Sequence, residues 1–488
     1  MNDMLIRIFF AFSAYFAGNK IFHAKPYNEN FLWMSLLRMK LCEKFRMTMF
    51  QLLSLFILTI GSGYYTCQAS EPKIPPQIRM LRIYGGSNER QPPIVILPTD
   101  SPQFQSSFGE AYVTIEIDID APIPPSLIAK FVHCNADWSE DENIFLNDIG
   151  FLRTSNIDWR TSAPSSYYFS HRGFIKAPNE QVKFKFSGNW KVKIYEMDSQ
   201  VEPPLCEGRF FVLQPRAECR LDVFGDMYRP KFNVSFSAVA MEATVTAPSS
   251  ILENQLHTAV FYRNFRWSEP YVTTENPRFI KNEKQYKFKY KAMQGGFASF
   301  GKKYRVERIP TENDYRILEL TNTAWFPRIG SPVRLPFSDL RRNGSSVDYD
   351  DDGAMLTNFV SASTDDYVNI EFIMEPDGWH SDEDVFIAGS FNNWNPDGSW
   401  MMSYDEEMRY YHLRHWVRRG KHNYLYGTGR YNFEARSFDN ISYDYFEGNA
   451  ATNAHNYLCF VYYREFDFGG YDALIAVGGG SVYGYIKR

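Results

Sequence analysis

Apolar and polar residues alternate with a period of two along much of the chain. The runs 78–84 and 112–119 show this alternation clearly, and the runs 182–186 and 190–195 flank Gly188 in a way that predicts a hairpin. Alternation places the apolar side chains of a strand on one face, and sheets pack together through that face. Strands of this kind, separated by clusters of Gly, Pro and Asn, predict an all-β fold built from sandwiches.

The strand runs fall into three groups, and these set the predicted domain organisation. A chain of 488 residues is too long for a single core. We expect three tandem immunoglobulin-like β-sandwiches after a signal peptide, at residues 70–215, 216–342 and 367–488. The segment 343–366 is rich in Asp, Gly and Ser, and we expect it to be an acidic linker or loop.

The N-terminal region has the layout of an export signal. Lys and Arg residues precede an apolar stretch at 47–60, and small residues follow near Cys67. This layout predicts a signal peptide at 39–69, with 1–38 as an upstream extension from a misplaced start codon. Two alternatives stay open. In the first alternative, the apolar stretch is a membrane anchor, although it is shorter than the roughly 20 residues that a spanning helix needs. In the second, Cys67 carries a lipid.

Composition and motifs exclude several functions. The net charge of −5 argues against nucleic acid as a partner, because neutralising phosphates requires a basic face. The sequence has no phosphate-binding loop, nucleophile elbow or metalloprotease helix motif. Adjacent carboxylates such as Glu406 and Glu407 lie in segments with turn character. We therefore predict a protein that is not an enzyme and that uses no cofactor.

Two segments contain residue types that bind metal ions. Asp348, Asp350 and Asp352 match the first half of a calcium loop, but Phe359 stands where a bidentate Glu belongs. A solvated acidic loop is the favoured interpretation. The second candidate cluster consists of three histidines for which surface positions are favoured: His412, His415 and His422.

Four cysteines follow the signal region: Cys134, Cys206, Cys219 and Cys459. Their spacing does not fit a zinc site. In an exported chain Cys206 and Cys219 could pair across a short loop, and buried free thiols are the equal alternative.

The stretch 384–397 begins as a buried strand and ends in a turn rich in Asn, and it resembles the opening of a glycogen-binding-type carbohydrate module. The resemblance implies that Trp394 stacks on a sugar, with weaker counterparts at Tyr431 and Asn456. The Lys of those modules is Leu425 here. We favour the alternative, in which Trp394 packs the hairpin.

One short motif combines a His, a thiol and a carboxylate: His133, Cys134, Asn135, Ala136, Asp137 and Trp138. Neighbouring side chains of a strand point to opposite faces, so the His and the Cys cannot form a nucleophile–base pair. We expect structural roles instead, with Cys134 inward, Asn135 and Asp137 capping a turn, and Trp138 packed.

Several stretches together resemble the plug protein family of the Bacteroidetes type IX secretion system. They lie at 131–138, 145–151, 187–196, 209–212 and 461–464. The resemblance implies a non-enzymatic periplasmic protein, present as a monomer in its complex. It would associate with the large outer-membrane β-barrel translocon and occlude its periplasmic opening. The alternative function is an exported carbohydrate-binding or surface glycan protein that uses the C-terminal module.

Overall fold

The computed structural model describes the chain from residue 75 to residue 482 with interruptions. The described residues are 75–99, 104–148, 150–164, 166–200, 202–227, 237–276, 291–298, 301–327, 332–336, 338, 340–341, 350–378, 380–450 and 455–482. The predicted upstream extension at 1–38 and signal peptide at 39–69 lie outside them, as does Asp348 of the acidic segment.

The first sandwich consists of two sheets, one antiparallel and one mixed, with apolar side chains between them. Its strands are β1 (Gln77–Gly85), β2 (Ile94–Ile96), β3 (Val113–Asp120), β4 (Leu127–Cys134), β5 (Arg153–Thr154), β6 (Asp158–Thr161), β7 (His171–Ala177), β8 (Gly188–Glu196) and β9 (Cys206–Leu213). One sheet has the order β1-β3-β7-β6, and the other has β2-β9-β8-β4-β5, with β2 parallel to β9. Ile115 and Ile117 of β3 pack against Trp190 of β8 in the core.

The second sandwich begins directly after the first. In chain order it begins with the strands β10 (Glu218–Met227), β11 (Ser237–Thr246), β12 (Leu256–Arg263), β13 (Tyr271–Thr274), β14 (Lys291–Ala298) and β15 (Gly301–Pro310). One sheet has the order β10-β11-β15-β14. The strands β12 and β13 belong to the facing sheet, which the chain completes only at its end.

The third sandwich is inserted between β15 and the last two strands. Its strands are β16 (Arg316–Glu319), β17 (Val333–Arg334), β18 (Tyr367–Met374), β19 (Asp384–Gly389), β20 (Ser403–Asp405), β21 (Tyr410–Arg418), β22 (Lys421–Asn432) and β23 (Ser437–Ser442). The sheets have the orders β16-β22-β19, with β23 also on β22, and β17-β18-β21-β20. Among the described residues, helix is limited to short turns at Glu253–Gln255, Ser390–Asn392, Gly398–Trp400, Asp444–Glu447 and Asp467–Gly469.

The final strands, β24 (Tyr457–Glu465) and β25 (Tyr471–Gly480), return to the second sandwich. Strand β24 pairs with β12, and the sheet order is β13-β12-β24-β25. Tyr457, Cys459 and Val461 are buried in the core of that sandwich. The expectation that 367–488 forms one sandwich in tandem is therefore wrong in its arrangement, because the chain interrupts the second sandwich to build the third.

The predicted all-β sandwich class is confirmed, whereas the predicted hairpin at 182–186 is wrong. That segment has buried apolar side chains, Val182 and Phe184 among them, but forms no strand. The amide of Lys183 donates instead to the Phe151 carbonyl at 3.1 Å. Strand β8 begins at Gly188 (φ +140°), where a Cβ atom would lie 2.5 Å from the His133 ring.

The first and second sandwiches are joined by an apolar interface. The outer face of β9 packs against β12 and β24, with Phe211 and Phe460 rings 4.3 Å apart. Backbone bonds extend this contact, because the amides of Gln214 and Arg216 donate to carbonyls of β25. A shared apolar layer with hydrogen-bonded backbone predicts that the two sandwiches move as one body.

Candidate interaction surface

The motif 133–138 lies at the interface between the first and second sandwiches. His133 and Cys134 end β4, and both are buried. The His133 Nε2 atom lies 3.1 Å from the Ser187 carbonyl oxygen, and its ring contacts that of Trp190 edge-on. The Cys134 thiol is buried as well, and burial raises its pKa to about 12. A protonated thiol in this environment is a packing group and a poor nucleophile.

The rest of the motif forms a turn that carries Trp138 into the interface. The Asn135 amide group donates to Ser139 Oγ at 3.1 Å, and the Ser139 amide donates to Asp137 Oδ1 at 3.0 Å. Trp138 has φ +66° and is buried, and its indole N–H donates to the Tyr262 hydroxyl of the second sandwich at 3.3 Å. The motif therefore stabilises the contact between the two sandwiches.

The same interface ends in an exposed apolar surface, which we call the aromatic patch: Ile144, Phe145, Phe466 and Phe468. Their side chains are 79%, 60%, 64% and 57% exposed, respectively. The first two belong to the loop that follows β4, and the others lie at the tip of the β24–β25 hairpin. Large apolar side chains grouped on a surface indicate a site of protein interaction.

Contacts beneath the aromatic patch hold its two halves together. The Asn143 side chain donates to the Phe468 carbonyl at 2.6 Å. The Phe468 ring packs edge-on against Phe186, with centroids 5.1 Å apart. Ile144, Phe145 and Phe468 line one groove with Lys185. The patch is thus a preformed surface, built jointly by the first and second sandwiches.

Charged side chains surround the aromatic patch. Glu142, Asp148 and Asp467 are exposed beside it, and the Lys185 ammonium lies over the Phe151 ring at 4.6 Å. An apolar centre with aromatic side chains and a polar rim is the usual composition of a protein–protein interface.

The first and third sandwiches are joined by a buried network of charges, which we call the Glu116 network: Arg82, Glu89, Glu116, Asp118, Arg172, Asp365 and Arg418. Glu116 and Asp118 point outward from β3 and are covered by the third sandwich. Arg418 of β21 donates to Glu116 at 2.7 Å, and Arg172 donates twice to Asp118 at 2.5 and 2.9 Å. Tyr367 of β18 donates to Asp118 at 2.8 Å.

The network lowers the pKa of three of its carboxyl groups: Glu89, Glu116 and Asp365. Burial opposes ionisation of Glu116, but the guanidinium groups of Arg418, Arg82 and Arg172 outweigh it and lower the pKa of Glu116 to about 2. The pKa of Asp365 is also lowered, because Arg418 and Arg172 outweigh its burial. The pKa of Glu89 is lowered by Arg82 and by hydrogen bonds from Thr357, again against burial.

These shifts predict a loss of stability in acid. A carboxyl group with a lowered folded-state pKa contributes its full stabilisation above its unfolded-state pKa, and loses it as the pH falls through the folded-state pKa. For Glu116 this window runs from its ordinary value of 4.5 down to about 2. We expect the urea midpoint to fall over the upper part of this window, measured from neutral pH down to about pH 3.

The matched variant for this test is Asp365→Asn. It retains Glu116 and Asp118 as partners for Arg172, so it should fold, and its urea midpoint should depend less on pH than that of the wild-type protein. Equal pH dependence of the two proteins would contradict the role of this carboxyl group.

Trp394 is placed where it cannot stack on a sugar. Its side chain is 1% exposed, and its indole N–H donates to the Gly353 carbonyl at 2.9 Å. The Tyr315 ring lies 4.6 Å from it, and the Arg266 guanidinium lies 5.4 Å from it on the second sandwich. The chain itself covers the ring, so the burial of Trp394 is in line with the packing role that the sequence analysis favoured over sugar stacking. Trp394 instead packs the contact between the second and third sandwiches.

The other two residues of the carbohydrate hypothesis are also engaged within the chain. Tyr431 is half-buried, packs on Phe438 at 5.1 Å and lies against Gly398. The Asn456 side chain donates to Asp352 at 2.8 Å, next to the Gly353 carbonyl that binds Trp394. Trp394 and Asn456 therefore both bind the loop that contains Asp352 and Gly353, and these hydrogen bonds lie within the chain.

The described part of the acidic segment is not the solvated linker that its composition suggested. Asp350 is buried and accepts from the Tyr315 amide at 2.9 Å. Asp351 pairs with Arg90 of the first sandwich at 2.5 Å and with Lys421 of the third at 2.7 Å. Asp351 thereby fastens the first sandwich to the third, whereas Asp350 is bound by the residue that precedes β16 of the third sandwich.

Two further expectations concern histidines and thiols. His422 is buried, and burial lowers its pKa to about 4. His415 stacks on Trp400 with ring centroids 3.8 Å apart. The expectation of surface positions is therefore wrong for His422.

Cys206 packs against the core of the first sandwich and Cys219 against that of the second, and neither is in a disulfide. A Cys206–Cys219 pair is excluded by this separation.

Across the described ranges, no group of three or more His, Cys, Asp and Glu side chains is arranged to hold a metal ion. In the same residues, no helix combines the length and apolar character that crossing a membrane requires.

Comparisons with known proteins agree with this architecture. Residues 78–214 match the family model described as the type 9 secretion system plug protein first domain. No curated protein matches the chain. A crystal structure of a hypothetical protein from Parabacteroides merdae ATCC 43184 is similar with a TM-score of 0.65 at 20% identity. The alignment covers 84% of this chain and 100% of that one, and at this identity it shows a shared fold.

Proposed function

We propose that this chain, which carries at residues 78–214 a first domain of the type 9 secretion system plug proteins, is a non-enzymatic plug subunit of that secretion system. It acts in the periplasm, where it binds the large outer-membrane β-barrel translocon as a monomer and occludes its periplasmic opening. The observation that carries the proposal is the family match. It covers the sandwich that contributes half of the aromatic patch.

Occluding a wide opening requires a body that does not deform when it is loaded from one side. Here the sandwiches are held by three different contacts: the apolar interface around Trp138, the Glu116 network, and the packing of Trp394 against Arg266. A buried ion pair that loses one partner is strongly destabilised, so each polar contact resists separation of its sandwiches. This rigidity supports a plugging role.

Docking on the translocon is assigned to the aromatic patch. The segment 145–151, which resembles the plug family, begins within the patch. Phe145 does not contribute to the apolar core, because its side chain is largely exposed. Aromatic side chains at the centre of an interface supply most of its binding energy. Two anchors on separate sandwiches would also fix the orientation of the plug in the opening.

The proposal predicts that removing two aromatic rings from the patch separates the protein from its translocon. In the double variant Phe145→Ser/Phe468→Ser we expect recovery of the barrel to fall by about 10-fold or more, because hot-spot aromatics each contribute on the order of 2 kcal/mol. The measurement is affinity capture of the tagged protein from detergent-solubilised membranes of the native bacterium, with quantitative mass spectrometry.

The matched control is Phe433→Ser, in the turn between β22 and β23, where the ring is 81% exposed and outside the patch. The control should recover the barrel as the wild-type protein does and keep its melting temperature. The double variant should remain folded, with a small loss of melting temperature because the Phe468 ring packs on Phe186. If the wild-type protein recovers no outer-membrane barrel, the plug function is wrong. If the double variant recovers as much barrel as the wild type, the docking surface is wrong.

A further inference from the structure

Two cysteines from opposite sheets meet in the core of the second sandwich. Cys219 lies on β10, and Cys459 lies on β24 in the facing sheet. Cys459 is a member of the apolar core of that sandwich, and Cys219 packs against the same core. Burial raises the pKa of the Cys459 thiol, and the neighbouring Cys219 thiol raises it further.

A glycine on β25 makes the approach of the two cysteines feasible. Gly478 is the cross-strand partner of Cys459. A Cβ atom at Gly478 would lie 2.8 Å from the Cys219 sulfur and 2.4 Å from the Cys219 carbonyl oxygen. Cross-strand partners present their side chains on the same face of a sheet, so the missing side chain of Gly478 leaves room for Cys219 beside Cys459.

The other cysteines have no comparable arrangement. All four cysteines are free thiols here, but Cys134 lies at the interface of the first two sandwiches and Cys206 packs against the core of the first. The pKa of Cys206 is raised to about 12 by burial alone. Thiol contact between opposite sheets therefore singles out one pair among the four.

We propose that Cys219 and Cys459 are joined by a disulfide bond in the protein of the cell envelope. The reaction is a thiol–disulfide exchange with an oxidised envelope protein that contains a reactive disulfide. The Cys219 thiolate attacks that disulfide, because Cys219 is half-buried beside an open groove whereas Cys459 is fully buried. Cys459 then attacks the mixed disulfide. Two protons and two electrons leave the cysteines, and the oxidant is released as a dithiol.

The proposed bond would close the loop that contains the whole third sandwich. The chain leaves the second sandwich after β15 and returns at β24, so β24 is held there by packing and hydrogen bonds alone until the bond forms. A disulfide that closes a long loop restricts the unfolded chain strongly. The bond would therefore keep the C-terminal strands in place under load, and it does not depend on which partner the protein binds.

The test is peptide mapping by mass spectrometry of the full protein isolated from the envelope of the native bacterium. Free thiols are alkylated before lysis, and digestion is carried out without reductant. We expect one disulfide-linked pair, containing Cys219 and Cys459, with Cys134 and Cys206 alkylated only after unfolding. Reduction should lower the melting temperature by an amount on the order of 10 °C.

Three variants keep the test decisive: Cys219→Ser, Cys459→Ser and the matched control Cys206→Ser. The first two variants should lack the linked peptide, and their melting temperatures should not respond to reductant. The control should contain the linked peptide, and its melting temperature should fall on reduction. Recovery of Cys219 and Cys459 as separate alkylated peptides after unfolding without reductant, or a linked peptide that contains Cys206, would overturn the proposal.

Discussion

Replacing Glu116 with glutamine lowers the free energy of unfolding by about 3–5 kcal/mol, the range found when one partner of a buried ion pair is removed. Glu116 is bonded to Arg82 and Arg418, and it lies 3.2 Å from Arg172. All three guanidinium groups are buried. Glutamine retains the shape of the side chain but removes the carboxylate that the three guanidinium groups share, so each keeps only its other partners, which include Glu89, Asp118 and Asp365. The guanidinium groups cannot reach water unless the first and third sandwiches separate.

The measurement is urea unfolding at neutral pH, with the Asp158→Asn variant as the control. Asp158 and Arg160 form an ion pair at 3.8 Å whose side chains are largely exposed. Exposed pairs of this kind contribute about 1 kcal/mol at most, so the control should unfold almost as the wild-type protein does. A Glu116→Gln variant that is as stable as this control would show that the network does not hold the sandwiches together.

Replacing Trp394 with alanine lowers the free energy of unfolding by about 3–5 kcal/mol as well, because it leaves a large cavity in a buried contact. The ring is enclosed by Tyr315 and Arg266, and it donates to the Gly353 carbonyl. Removal of the indole therefore also leaves that carbonyl without its donor. Since Arg266 belongs to the second sandwich, the variant should loosen the contact between the second and third.

This variant also separates the two functions that the sequence left open. Urea unfolding measures its stability, and affinity electrophoresis in α-glucan gels measures sugar binding, with Phe433→Ala as the exposed control. We expect no glucan retardation of the wild-type protein and a large loss of stability in Trp394→Ala alone. Glucan binding by the wild type that disappears in a Trp394→Ala variant of unchanged stability would instead support the carbohydrate hypothesis.

The sequence predicted the all-β class because strand alternation is local. It could not predict that β24 pairs with β12, since this pairing joins strands separated by an entire sandwich and leaves no local trace. The tandem arrangement of three domains was the simplest assignment of the strand runs. The inserted third sandwich is visible only in the pairing.

The site was predicted in part, and for physical reasons. In the motif 133–138, the burial of Cys134 and the turn at Asp137 depend on local strand and turn chemistry, which is legible in the sequence. Glu116 and Asp118 alternate with apolar residues on β3, and local alternation does not reveal that the third sandwich covers this polar face. The apolar spacing of Phe466 and Phe468 in a turn was the available signal for the hairpin half of the aromatic patch, and it was missed.

The central claim, occlusion of the translocon, is tested most directly by conductance. Purified translocon would be reconstituted in planar bilayers, and this protein added from the periplasmic side. We predict that the wild-type protein and Phe433→Ser close the channel, whereas Phe145→Ser/Phe468→Ser leaves it conducting. A channel whose conductance is the same with and without the wild-type protein would contradict the account.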